Sequence, residues 1–206
     1  MMAYPQKIIL ATHNPGKLAE FRSLFIKLNL EFVAQNNLGI CPPEENGITF
    51  LENAITKARN ASKFGDLPSI AEDSGLVVPA LDGAPGIYSA RYAGNDATDE
   101  MNNHKLITEL KKKAHLPNYR NAYFYCCMVF VENSRDPTPL VATGKWCGNI
   151  IDEPRGHNGF GYDPHFVIDR TKSTSAELDV AAKSRMSHRG IATRELIQKL
   201  EVATSS

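Results

Sequence analysis

The stretch Lys7-Ile8-Ile9-Leu10-Ala11-Thr12-His13-Asn14-Pro15-Gly16-Lys17 decides the fold. Lys7 to Ala11 reads as a short buried strand. Asn14 is a favoured N-cap, and Pro15 suits the first position of a helix. Beyond them Leu18, Phe21, Leu24, Phe25 and Leu28 recur at helical spacing and mark a core face. Glu31 to Ala34 reads as a second strand. A strand, loop, helix and strand in this order predict an α/β fold. The turn can also carry chemistry, because a strand-to-helix turn aims backbone N–H groups and a positive dipole end outward. Thr12 and Asn14 add side-chain donors and Lys17 adds a charge, which suits a phosphate. An ordinary capped helix has the same pattern. The segment is not a Walker A loop, since Gly-x-x-x-x-Gly-Lys-[Ser/Thr] is absent.

Downstream, residues 36–48 read as a loop. Thr49 and Glu52 form a capping box. The helix it opens is predicted to run to about Phe64, with Leu51, Ala54, Ile55, Ala58 and Ala61 inward and Lys57, Arg59 and Lys63 solvated. Gly65 to Pro68 ends it. In Ser69-Ile70-Ala71-Glu72-Asp73-Ser74-Gly75 an apolar run then stops at two adjacent carboxylates. Such a strand end can hold a divalent metal or activate a water; Asp-Ser-Gly is also a common turn. Val77 to Leu81 reads as a further short strand, and Gly83, Pro85 and Gly86 open a loop that passes Tyr92.

Thr98 to Lys113 is predicted helical, with lysines near its negative pole. Asn121 to Glu132 is aromatic and β-branched, a strand. Leu140 to Ile151 is its expected partner across a turn-rich link. A glycine-rich loop, Gly156 to Pro164, leads to a closing strand at His165 to Ile168. A short helix over Ser175 to Ala182 precedes the last one, Ser187 to Val202, whose Ile191, Leu196, Ile197 and Leu200 face the core. The tail from Ala203 is expected to be disordered. Without repeats or a linker, residues 1–206 read as a single domain with at most two lobes.

Composition narrows the function. Lys and Arg together number 23, as do Asp and Glu, so the formal charge is zero and a polynucleotide partner is disfavoured. A small anion needs only a local cluster. Cys41, Cys126, Cys127 and Cys147 form no Cys-x-x-Cys pair, which argues against a disulfide framework or zinc site and for buried free thiols in a reducing cytosol. Ile8 to Ala11 is too short for a signal peptide core, and no run of apolar residues is long enough to span a membrane.

Further groups bear on chemistry. Glu44-Glu45, with Glu72 and Asp73, could hold Mg²⁺, which takes carboxylates, waters and substrate phosphates; paired loop carboxylates are also commonly just solvated. Gly159-Phe160-Gly161-Tyr162-Asp163 departs from the dinucleotide fingerprint, and its aromatic residues could stack a base or simply belong to a tight loop. Lys183-Ser184-Arg185-Met186-Ser187-His188-Arg189-Gly190 sets cations before a helix start, against its dipole, where they could bind phosphate or donate to a carbonyl. The other histidines, His13, His104, His115, His157 and His165, show no ligand spacing.

In this order these segments resemble the inosine triphosphate pyrophosphatase family, in its bacterial form. The resemblance is carried by Ala11 to Lys17, Glu44 to Phe50, Ala71 to Leu76, Gly83 to Tyr92, Gly159 to Pro164 and Lys183 to Gly190, and covers nearly the whole chain. His13 and Asn158 stand where glycine is frequent. The resemblance implies an elongated, two-lobed mixed-sheet fold with flanking helices and the site in a cleft. It implies a cytoplasmic, Mg²⁺-dependent homodimer that cleaves ITP, dITP and XTP to monophosphate and pyrophosphate, keeping them out of DNA and RNA. Carried over, Thr12, His13, Asn14, Pro15, Gly16 and Lys17 bind the triphosphate. Asp73 is proton acceptor and metal ligand, and Glu44 a second ligand. Ser74 contacts substrate. Phe160, Gly161, Tyr162, Asp163, Lys183, His188 and Arg189 hold the base and nearby phosphate.

The implied chemistry is water attacking the α-phosphorus while pyrophosphate leaves, with Mg²⁺ and Lys17 neutralising charge and Asp73 orienting or deprotonating the water. Hypoxanthine and xanthine carry a C6 carbonyl where adenine carries an amino group, so His188 and Arg189 as donors would oppose adenine. Hydrolysis of a pyrimidine triphosphate and nucleotide sensing without turnover are the competing readings. Kinase motifs are absent.

Overall fold

The computed structural model describes residues 7–14, 16–18, 21, 31–169 and 171–205. Its strands are β1 (Lys7–Leu10), β2 (Glu31–Ala34), β3 (Ser69–Val77), β4 (Asn121–Val131), β5 (Leu140–Ile150) and β6 (Phe166–Ile168). They form a six-stranded sheet in the order β2-β1-β3-β4-β5-β6. The sheet is mixed: β1 runs parallel to β2 and β3, whereas β5 and β6 are antiparallel. The helices are α1 (Phe50–Gly65), α2 (Asp99–Lys112), α3 (Val180–Met186) and α4 (His188–Ser205). Gly16 to Leu18 are also helical; Leu24, Phe25 and Leu28, expected on that helix's core face, lie outside the described residues.

The chain divides into two compact units. The first comprises residues 1–73, 126–144 and 189–206. Its core packs Ile8, Leu10, Phe21, Ile70, Met128, Phe130, Leu196 and Leu200. Helix α1 starts at the expected capping box, with Thr49 Oγ1 accepting from Glu52 N and Glu52 Oε2 accepting from Thr49 N. Its inner face is small: Ala54, Ala58 and Ala61 are fully buried. The Ser69 hydroxyl at the start of β3 donates to Ala58 O at 2.6 Å, tying helix to strand. Asp66, at φ +50°, closes the helix, its N–H donating to Ser62 O, and Gly65 just before it packs close to Ile9.

The second unit comprises residues 74–125 and 145–188. Leu106, Ile107 and Leu110 of α2 pack with Leu76, Val78, Phe124, Trp146, Ile150 and Phe166. The Phe124 and Phe166 rings lie 4.7 Å apart, and Trp146 lies 5.5 Å from Phe166.

Several expectations are corrected. Glu72 and Asp73 do not end a strand: β3 continues through Ser74 and Gly75 to Val77, because the buried carboxylates find partners inside the fold. Pro79–Leu81 is accordingly a 3-10 turn, not a strand. The short helix expected at Ser175 is a 3-10 turn, Ser175–Glu177, and α3 follows only after Asp179 caps it. The backbone of α4 stays helical to Ser205, where a disordered tail was expected. Cys126 and Cys127 are buried as expected, but Cys41 and Cys147 are exposed. Leu51 is exposed and Lys57 is buried, the reverse of their expected faces.

Candidate active site

Successive residues of a strand point to opposite faces, so β3 separates Glu72 from Asp73. The Glu72 side chain is wholly buried. Lys17 Nζ lies 2.7 Å and Arg189 Nη2 3.1 Å from its Oε1. The Cys126 thiol donates to Oε2 at 2.9 Å. Burial opposes ionisation of Glu72, but Arg189 and then Lys17 outweigh it and hold the carboxyl well below the usual range. Glu72 is thus a fixed anion that anchors the Lys17 ammonium.

Asp73 has a different setting. Lys57 Nζ donates to Oδ1 at 2.8 Å, and Asn53 Nδ2 donates to Oδ2 at 3.2 Å. Burial pushes its carboxyl up, and Lys57 only partly offsets this, so Asp73 ends above the ordinary aspartate value. For Lys57 burial acts downward, but Asp73 and Glu45 more than reverse it, and the ammonium keeps its proton. Two adjacent carboxylates with pKa values driven in opposite directions are suited to different roles, one an electrostatic anchor and the other a proton acceptor.

The expected phosphate turn lies in the same unit. Asn14 Oδ1 accepts from Lys17 N at 3.1 Å, as an N-cap should, and Asn14 N donates to Thr12 Oγ1 at 3.2 Å. Thr12 is buried, His13 and Asn14 are exposed, and Gly16 and Lys17 are helical. Pro15 lies outside the described residues.

Of the paired loop carboxylates, Glu45 reaches this cluster, with Oε1 3.3 Å from Lys57 Nζ. Glu44 is exposed, and its Oε2 accepts from Asn46 at 3.0 Å. Among the described residues no three Asp, Glu, His or Cys side chains group as a metal-ligating set. Asp73 and Glu45 nevertheless share one cation, the Lys57 ammonium. A hard divalent ion bound through one or two carboxylates and substrate phosphates needs no larger protein donor set.

In the second unit, the glycine-rich loop is closed by buried Asp163. Its Oδ2 accepts from Phe160 N at 2.9 Å and Lys183 Nζ at 2.6 Å, and its Oδ1 accepts from Ser175 Oγ at 2.8 Å. Gly159 has φ +80°, and a Cβ there would lie 2.1 Å from Asp163 Oδ2, so the closure requires glycine. Gly161 donates from N to Asp99 and accepts at O from Asn103. The Tyr162 hydroxyl donates to Ser89 O at 2.8 Å, and burial pushes its phenol pKa up. These bonds leave Phe160 36% exposed as a residue, with Lys183 Nζ 5.1 Å from its ring centroid. An exposed ring on a fixed loop, with an ammonium beside it, suits a planar base bearing an acceptor. His188 is buried and stacks on Phe124 at 4.9 Å. Ser74 is half-buried in β3.

Arg189 pairs with Glu72, and its side chain is 2% exposed. Asn53, Lys57 and Cys126 were missed by sequence reasoning. A signal existed for the first two. They are spaced i, i+4 and border the Ala54, Ala58, Ala61 face, where a polar side chain is carried to the sheet. Nothing local marks Cys126.

Comparison with known proteins agrees with the motif resemblance. The Ham1 family matches over residues 8–199. A Burkholderia pseudomallei protein named dITP/XTP pyrophosphatase is 49% identical over 197 residues, 94% of this chain and 93% of that protein. An Escherichia coli K12 protein of the same name is 50% identical over 195 residues, 95% and 98% of the two chains. A HAM1 protein structure from Coxiella burnetii superposes with a TM-score of 0.87 at 44% identity, covering 97% of this chain and 99% of that one.

Proposed function

Because the chain belongs to the Ham1 family, we propose that this nucleoside triphosphate pyrophosphatase hydrolyses dITP, XTP and ITP to the monophosphate and pyrophosphate. The observation that carries the reading is the divided carboxylate pair. Glu72 is held ionised against Lys17 and Arg189, while Asp73 is raised beside Lys57. Water attacks the α-phosphorus, its oxygen forms the new P–O bond, and the bond to the pyrophosphate oxygen breaks. Asp73 takes the water's proton; its raised pKa makes it a stronger base than an ordinary aspartate. Lys17, positioned by Glu72, binds the triphosphate together with the N–H groups of the turn.

Mg²⁺ fits the donor set of Asp73 and Glu45, the carboxylates that share Lys57. When bound it neutralises phosphate charge. Glu45 is better supported in this role than Glu44, whose carboxylate accepts from Asn46.

Base recognition falls to the second unit's Phe160 ring and Lys183. A donor at the C6 carbonyl of hypoxanthine or xanthine would face the amino group of adenine, a mismatch that costs affinity. On this reading the enzyme acts in the cytoplasm as a homodimer and clears these nucleotides before a polymerase uses them. The family resemblance supports that part.

The test is pyrophosphate release from dITP, ITP, XTP, GTP, ATP and the pyrimidine triphosphates, with and without Mg²⁺. The expected result is Mg²⁺-dependent release from dITP, ITP and XTP, reduced roughly 10²–10⁴-fold in a folded Asp73→Asn variant. Faster release from pyrimidine substrates would transfer the function to them. Thermal stabilisation by ITP without pyrophosphate release would make the protein a sensor.

A further inference from the structure

We propose that Cys126 is a positioning residue for the phosphate-binding turn, acting on Lys17 through Glu72. Its kinetic part rests on the pyrophosphatase reading above; its structural part does not. Cys126 lies on β4, beside β3 in the sheet, and is fully buried. Its Sγ is 2.9 Å from Glu72 Oε2. Glu72 lies against two cations and is ionised, and an ionised carboxylate only accepts, so the proton of this bond belongs to the sulfur. A hydrogen bond to an ionised acceptor is among the stronger kinds.

The geometry gives the thiol a specific task. The terminal torsion of a glutamate is broad and does not fix the carboxylate plane by itself. Lys17 and Arg189 converge on Oε1, at 2.7 and 3.1 Å, whereas Cys126 meets Oε2. Bonds at both oxygens fix the plane, and the plane fixes where the Lys17 ammonium rests. Lys17 is bonded through its backbone N to the Asn14 cap, so its main chain is already held. The remaining freedom is in the side chain, and Glu72 restrains it. Cys126, Arg189 and Lys17, gathered around one buried carboxylate, thus connect β4 to the turn after β1.

A purely structural cysteine would fill space, and the two roles diverge on substitution. Cys126→Val keeps a filled core without a donor; Cys126→Ser keeps a donor in a smaller side chain. For positioning, Cys126→Val should raise the KM for dITP roughly fivefold to tenfold. Its kcat should stay within about twofold, and Cys126→Ser should return KM to within about twofold of the parent. A space-filling role predicts the opposite order, and a Val variant with unchanged KM would overturn the proposal. Infrared spectra of the parent protein provide an arm that needs neither activity nor a well-folded variant. The S–H stretch assigned to Cys126 should be shifted to low frequency by its carboxylate partner. A band at the position of an unbonded thiol would overturn the proposal. Absence of pyrophosphate release by the parent would instead reject the activity reading, and the infrared result would still decide this one.

Discussion

Lys57 Nζ lies 2.8 Å from Asp73 Oδ1, bridging the middle of α1 to the middle of β3. The bond accounts for two features. It buries a lysine on a helix face whose other buried residues are the small Asn53, Ala54, Ala58, Ala61 and Ser62, and it restrains the pKa of an aspartate that burial raises. It also brings Glu45 to the same ammonium. The cluster is therefore assembled from a loop, a helix and a strand around one cation.

Lys57→Met should make this visible as a titration. Burial already lifts Asp73 above its ordinary 3.8, with Lys57 opposing the rise. Without the ammonium the carboxyl should titrate at still higher pH. Carboxyl carbon-13 NMR of metal-free protein, parent against variant, would measure it. An unchanged or lower titration midpoint would show that Lys57 does not set the charge of Asp73.

The Glu72–Arg189 pair should govern acid stability. Its folded pKa is depressed below the ordinary 4.5, so the folded state binds this proton less readily than the unfolded chain. The resulting stability is complete above 4.5 and is lost as pH falls through the depressed folded value. At neutral pH, Arg189→Ala should destabilise the protein by about 1.5–3 kcal/mol, since it removes one of the two cations facing a buried carboxylate and leaves Lys17 as the other. The deficit should shrink as acid neutralises Glu72. Urea unfolding curves at a series of pH values test this; a deficit independent of pH would exclude the pair as its source.

Much of the first unit was legible in sequence, and the exceptions share a cause. The start of α1 follows from Thr49 and Glu52, three residues apart and sufficient to themselves. The cap at Asn14 is equally local. The course of β3 is not, because Glu72-Asp73-Ser74-Gly75 has the composition of a turn. It remains a strand because Glu72 meets Arg189, 117 residues away, and Asp73 meets Lys57, 16 residues away. The same separations explain why Lys57 reads as solvated and why the pairing of Arg189 with Glu72 goes unread. Their charges are evident in the sequence, whereas their partners are products of the fold. Glu44 and Glu45 show a finer limit, since neighbouring identical side chains diverge only when the loop is folded.

Phe160→Ala tests the second unit by itself. Loss of a stacking platform worth ~1–3 kcal/mol should raise KM for dITP by roughly 5- to 150-fold. Phe160→Trp should restore most of the loss, while kcat changes little in either variant. Steady-state kinetics with pyrophosphate detection would show it. A fall in kcat at constant KM would instead connect the ring to the chemical step.

The alanine face of α1 sets a tolerance for the whole cluster. Ala54, Ala58 and Ala61 act as spacers, and their methyl groups fix how high the helix stands above the sheet. A lysine has four methylenes and could follow the strand if that height grew. Asn53 has one, and its bond to Asp73 is already 3.2 Å long. The shortest arm in the cluster is therefore the gauge: the helix can stand no farther off than asparagine can reach, and three side chains with no chemistry of their own keep it there.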